Sequence, residues 1–191
     1  MAFMLERLPE PPVDRLVTIE ELLDNPQWGR CELNSGKVMS MAPTGMEHGD
    51  LALEIGAQMR TYVKKQGLGK VMGTDVGFLI TRNPDTMREA DVMFISTARL
   101  KDAGPKQGLS LIPPDLAVEI VSPSDRWSEV VEKVETYLRA GVKIVWVVDP
   151  KTRTAQVYRF GQSVLSLHES DALDGAEILP GFRMELEGIF N

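Results

Sequence analysis

Two acidic residues stand where acids are rare. Glu119 interrupts five apolar residues in the run LAVEIV, and Asp91 leads into four in EADVMFI. A carboxylate is almost never fully buried unless it is paired or coordinates a metal, because removing its water costs on the order of several kcal/mol. Two such groups on neighbouring strands repel each other, and one divalent cation relieves both costs at once. Singly, each acid reads equally well as a strand-end residue that meets water or an arginine. Together, 28 residues apart on successive predicted core strands, they favour a metal site.

Other groups carry weaker signals. Glu32, in RCELNSG, is a third acid; its plain alternative is an exposed edge-strand position opposite Lys37. His48 opens a long predicted helix and reads more simply as a capping or partly buried surface histidine, since one imidazole without partners binds metal weakly. Asp75 and Asp149 sit beside Gly, Thr or Pro and read as turn formers. Lys133 lies at a helix border: at about 100° per residue, it is about 100° from an apolar stripe centred near Trp127 and Val134. It is either an i,i+4 partner of Glu129 or a lysine whose stem runs along the core and delivers its ammonium to the strand carboxylates.

The elements that must position these residues follow from periodicity and punctuation. Thr18-Ile-Glu-Glu21 is a capping box opening a short helix to about Asp24. Arg30–Asn34 and Lys37–Met41 flank Ser35-Gly36 as a hairpin. A helix runs from about Glu47 to Gln66 and stops at Gly67. Strands follow at Lys70–Gly73, Val76–Thr81, Ala90–Ser96 and Leu116–Val121, then a helix over Arg126–Ala140 and a strand at Ile144–Val148, a βαβ pattern with strands buried on both faces. Ala155–Phe160 and Val164–His168 close the chain as an antiparallel pair. The fold class is α/β, a mixed sheet with a hairpin extension at each end.

Composition excludes several classes. No apolar run approaches the eighteen or so residues of a membrane span, and the opening MAFMLERLPEPPVDR has no signal-peptide pattern. The single cysteine, Cys31, and two histidines exclude an internal disulfide and a zinc finger, and fit a reducing cytoplasm. A net charge of −7 argues against a general nucleic-acid binder, although a local basic cleft remains open. No P-loop, nucleophile elbow or GxGxxG precedes a helix.

In order and spacing, EADVMFI, PPDLAVEIVSPSD and EKVETYLRAGVKIVWVVDP resemble the Uma family (Uma-two), which belongs to the PD-(D/E)XK nuclease superfamily. CELNSGKVMSMAPTGMEHGDL is similar to that family's opening segment, and the resemblance covers about residues 16–190. It implies a restriction endonuclease-like domain over 16–191 and metal-dependent hydrolysis of phosphodiester bonds in DNA; Pro9, Pro11 and Pro12, which deny regular hydrogen bonding, make 1–15 a flexible arm. It matches Asp91 to the family's metal-binding Asp, Glu119 to the acid of the (D/E)XK element, and Glu32 to its helix- or hairpin-borne Glu. Ala90 stands in place of the superfamily's Pro and Val121 in place of its lysine, for which Lys133 on the next helix is the implied substitute.

That reading gives Mg2+ (or Mn2+) to Asp91, Glu119 and the Ile120 carbonyl, with Lys133 orienting or deprotonating the attacking water and shielding charge. A homodimer is expected if both strands of a duplex are cut. The alternative is a catalytically silent relative that binds nucleic acid or a protein partner. Net charge and Val121 favour the silent protein; retention of costly acids favours the enzyme. A hydrolase of a smaller phosphate compound is a third reading. Nine cations, among them Arg60, Lys64, Lys70 and Arg88, either contact phosphates or form an ordinary mixed surface.

Overall fold

The apolar runs become the middle of a six-stranded sheet. In this computed structural model residues 10–74, 76–106 and 108–190 are described, so most of the expected N-terminal arm and Asp75 lie outside the described residues. The chain begins with α1 (Ile19–Leu23), whose N-cap Thr18 accepts a hydrogen bond from the Glu21 amide, then β1 (Cys31–Asn34) and β2 (Lys37–Ser40). The turn between these strands needs positive φ at both central residues, and Ser35 and Gly36 supply 51° and 76°. Next comes α2 (Met46–Gln66), which stops at left-handed Gly67, then β3 (Gly69–Met72), β4 (Gly77–Thr81), β5 (Thr86–Glu89) and β6 (Val92–Ser96). The rest is β7 (Leu116–Ile120), α3 (Trp127–Arg139), β8 (Ile144–Asp149), β9 (Thr154–Tyr158), β10 (Leu165–His168), β11 (Ala172–Asp174), β12 (Arg183–Glu185) and α4 (Leu186–Ile189).

The larger sheet has the order β10-β9-β8-β7-β6-β3. Its one parallel pair is β7 with β8, joined through α3, as a βαβ crossover requires. Alternation along β6 and β7 divides two cores. Val92, Phe94, Val118 and Ile120 pack with Leu51, Ile55 and Met59 of α2. Met93 and Ala117 pack with Val130, Val134 and Tyr137 of α3. Residues of the second parity, Asp91 and Glu119 included, therefore belong to the α3 face.

A second sheet, β2-β1-β5-β4, joins the first hairpin to the segment before Asp91. The hairpin is therefore part of a sheet and not a free extension. The sequence reading placed no strand at β5, where Thr86, Arg88 and Glu89 are polar; all four residues of the strand are buried. Glu32 is placed differently from its plain alternative too. It is 3% exposed, pairs with Met39 across the hairpin, and sits on an interior strand, while Lys37 pairs with Asn34. Trp127 is 45% exposed, so the buried stripe of α3 is Val130, Val134 and Tyr137.

Strand β3 closes over β6 only because residue 69 has no side chain. A Cβ there would lie 2.2 Å from the Ile95 carbonyl oxygen and 2.8 Å from the Phe94 ring. Gly69→Ala is expected to destabilise the protein by about 1–3 kcal/mol, the scale of overpacking. Gly73→Ala, with nothing within 4 Å, should stay close to wild type; urea unfolding of the two variants checks the contrast.

Candidate functional site

The end of the six-stranded sheet, the N-terminal ends of α2 and α3, and the second sheet enclose a cleft of about 420 Å³. Asp91 immediately precedes β6, and Glu119 lies one residue past the Val92↔Val118 pair of the β6–β7 ladder. Continuing that register sets the two acids opposite each other on one face, at 7% and 9% exposure. Asp91 keeps one unengaged oxygen among the described residues, whereas both oxygens of Glu119 are engaged. Asp91 Oδ2 accepts from the Ile120 amide at 2.7 Å and lies 3.1 Å from His48 Nε2. Oδ1 takes no hydrogen bond among the described residues. Glu119 Oε1 accepts from the Tyr137 hydroxyl at 2.7 Å, and Oε2 from Lys133 Nζ at 2.9 Å.

Lys133 turns inward. Its ammonium also lies 3.2 Å from Glu32 Oε1 and over the Tyr137 ring, 5.8 Å from the centroid. Glu129 approaches Arg126 instead, so the i,i+4 pairing is not formed. Glu32 accepts further bonds from Arg88 at 2.9 Å and from the Glu89 amide at 2.9 Å. The Glu89 carboxylate in turn accepts from Arg30 Nε at 2.7 Å, and its carbonyl lies 3.0 Å from the Tyr137 hydroxyl. Asp149 is a turn former, receiving the Lys151 amide at 2.9 Å.

The cleft thus gathers Asp91, Glu119, Ile120, Lys133 and Glu32, and adds groups the sequence reading did not assign. His48 is buried, with Nε2 on Asp91 and no partner for its buried Nδ1. Tyr137 falls at an apolar spacing on its helix, three residues after Val134, and Arg88 read as a possible surface cation. The only available signal for Tyr137 was its spacing, i,i+4 from Lys133 on the helix that follows Glu119.

Electrostatics differ sharply among the acids. Burial pushes the Glu119 carboxyl up to about 7; Lys133 and Tyr137 oppose this, and the neighbouring Asp91 charge adds to it. Burial also disfavours charge on Glu32, but Lys133, Arg88 and the Glu89 amide outweigh it and hold that carboxyl below the ordinary range. Burial lowers Lys133, but Glu119 and Glu32 more than compensate and hold it as an ammonium. The His48 imidazole is raised, its burial being overcome by Asp91. The Tyr137 hydroxyl has one proton for two acceptors. With Glu119 protonated, the carboxyl can donate to Tyr137 and Tyr137 to the Glu89 carbonyl.

The family model described as Uma2, "Putative restriction endonuclease", matches residues 17–187. The chain belongs to this family. Its structure resembles the crystal structure of a "putative nuclease belonging to DUF820" from Anabaena variabilis, with a TM-score of 0.78 and 20% identity over 91% of this chain and 97% of that one. The fold of this Uma2 chain is restriction endonuclease-like. Among curated proteins no sequence matches. No helix among the described residues is long and apolar enough to cross a membrane.

Two measurements follow from the charge network. Glu119 is raised in the folded state, so its stability contribution is fully present below about 4.5 and lost as pH rises to about 7. Glu119→Gln should remove that loss. The stability of the variant relative to wild type is expected to rise between these pH values and then level off, as measured by urea unfolding across pH. Lys133→Met removes the cation from buried Glu119 and one of the two from Glu32, which keeps Arg88, so it should destabilise the protein by about 3–5 kcal/mol. A loss under about 1 kcal/mol, as for a surface pair, would mean that the ammonium is not held between Glu119 and Glu32.

Proposed function

We propose that this Uma2 protein is a metal-dependent DNA endonuclease. The observation that carries the reading is the meeting of Asp91 and Glu119 on one face of neighbouring strands, with the Lys133 ammonium on Glu119 and Glu32. No group of three or more His, Cys, Asp or Glu side chains suited to a metal ion occurs among the described residues. A donor set of two carboxylates and the Ile120 carbonyl fits Mg2+ or Mn2+, since Mg2+ keeps several waters and takes only one or two protein carboxylates. All the donors are hard oxygens, and Asp91 Oδ1 is unengaged. When bound, such an ion lowers the pKa of a water and offsets the charge of a phosphodiester.

The roles of the chain's own residues follow. The Ile120 amide and His48 fix the Asp91 carboxylate by Oδ2 and leave Oδ1 to the cleft. Tyr137 and Lys133 fix Glu119 from two sides. Lys133 is held as an ammonium by two carboxylates, so it acts by charge: it orients the attacking water and stabilises negative charge on the phosphate oxygens, and it is not the base. Glu32 keeps the ammonium at the strand and positions it. Cutting both strands of a duplex calls for two such sites, so a homodimer working in the cytoplasm completes the proposal.

Relaxation and linearisation of supercoiled plasmid in Mg2+ or Mn2+ tests the reading, with Asp91→Ala as the inactive control. Lys133→Met should lower the rate by about two orders of magnitude or more, measured at a temperature where the variant is folded. Mg2+ should raise the wild-type melting temperature, and Asp91→Asn should abolish that rise while leaving the metal-free protein as stable or more so. An undiminished Mg2+ shift in Asp91→Asn would put the ion elsewhere. Intact plasmid at every metal concentration, beside retained DNA binding, would favour the catalytically silent protein.

A further inference from the structure

The outward face of α2 combines exposed apolar groups with charges that oppose one another. At about 100° per residue, Met46, Asp50, Ala57, Arg60 and Lys64 fall within about 60° of Leu53, with Glu54 at the border of this stripe, and all are exposed. Met46 is 94% exposed and Leu53 72%, although both are large and apolar. Charge is segregated along the helix: Glu47, Asp50 and Glu54 lie in its first half, Arg60, Lys64 and Lys65 in its second. The helix dipole favours such a bias only within the first and last turns. That accounts for Glu47, Lys64 and Lys65, but not for Asp50, Glu54 and Arg60. Within one helix Asp50–Glu54 and Arg60–Lys64 are like-charged neighbours at i,i+4, an unfavourable spacing. Asp50, Lys64 and Lys65 have no ion-pair partner among the described residues. Glu54 accepts from the Gln58 amide, and Arg60 reaches only the Val71 carbonyl, at 3.4 Å.

We propose that this stripe is a dimer interface, in which α2 packs antiparallel against α2 of a second copy about a two-fold axis at Ala57. Positions equidistant from Ala57 then meet. Asp50, seven residues before it, faces Lys64, seven after, and Glu54 faces Arg60. Each like-charged pair of the single helix gains opposite charges across the axis, whereas a parallel pairing would set like against like. Ala57 lets the two helices approach closely, and Leu53 of each copy packs beside Thr61 of the other. Such an isologous contact closes at two copies. A helix of 21 residues is about 30 Å long, so one helix pair is a small interface and the dimer is expected to dissociate on dilution. The cleft lies at the N-terminal end of α2, so the pairing sets the two clefts at opposite ends of the helix pair. The inference names the contact surface of the homodimer in the proposed function and rests on that part of the reading.

Charge reversal gives a test that loss of folding cannot imitate. Asp50→Lys with Glu54→Lys makes the stripe basic throughout, and Arg60→Glu with Lys64→Glu makes it acidic throughout. Sedimentation equilibrium over a concentration series should show a monomer–dimer equilibrium for wild type. Each double variant alone should dimerise at least about tenfold more weakly, because like charges now meet across the axis. An equimolar mixture of the two should form a heterodimer at least as tight as the wild-type dimer. Both variants should melt close to wild type and hydrolyse bis(p-nitrophenyl) phosphate in Mn2+ at the wild-type rate, since none of the four residues belongs to the cleft. Double variants that each dimerise like wild type, or a mixture that stays monomeric, would overturn this interface. A wild type that is monomeric at every concentration would overturn the homodimer with it. A dimeric wild type that hydrolyses neither the small diester nor DNA would overturn the nuclease reading and leave the interface standing.

Discussion

The carboxylate of Glu119 is buried at the end of β7, with the Tyr137 hydroxyl on one oxygen and the Lys133 ammonium on the other. Moving an ionised carboxylate out of water is among the costliest things a fold can do. Here its two partners do not fully offset that cost, as burial still pushes the group up to about 7. The rest of the cleft is arranged around this residual imbalance. Both partners come from α3, which follows β7 after the link 121–126 and leads on to β8. The βαβ crossover is therefore both the centre of the fold and the means by which the strand acid meets its helix cation.

The second sheet is tied to the same charge. Glu32 reaches Lys133 from β1, and Arg88 and Glu89 on β5 hold Glu32 in place. Tyr137 closes a ring, since its hydroxyl also lies on the Glu89 carbonyl. A network whose polar members are mostly paired is rigid in a low-dielectric setting, whereas a broken one is costly; here Arg88 Nε is buried without a partner among the described residues. The network locks Lys133 and Glu32 but leaves Asp91 Oδ1 open to the cleft. Groups committed to structure and groups available to a ligand are thus separated atom by atom, within a single side chain in the case of Asp91.

Much of this was legible in the sequence, for identifiable reasons. Asp91 and Glu119 stood out because each breaks an apolar strand, and an acid in such a run has few physical explanations. The hairpin, α2 and α3 followed from Ser35-Gly36, from Gly67 and from helical spacing. What was missed depends on contacts between residues distant in the chain. Thr86, Arg88 and Glu89 look like surface residues until Glu32, some 56 residues earlier, supplies the partner that buries Arg88. His48 looks like a cap until Asp91 is set beside it. Tyr137 satisfies a helical apolar pattern equally well with or without its hydroxyl in use. Spacing gives the face of an element; the identity of the partner on that face comes only from the fold.

In the proposed function, the opposed acids Asp91 and Glu119 are kept for a divalent ion. Anomalous diffraction from crystals soaked in Mn2+ tests it most directly, because it locates the ion without reference to activity. A peak is expected within about 2.0–2.6 Å of oxygens from both Asp91 and Glu119, the distance range of such ligands. A peak bound elsewhere at saturating Mn2+, with these two carboxylates unliganded and Lys133 still on Glu119, would contradict it.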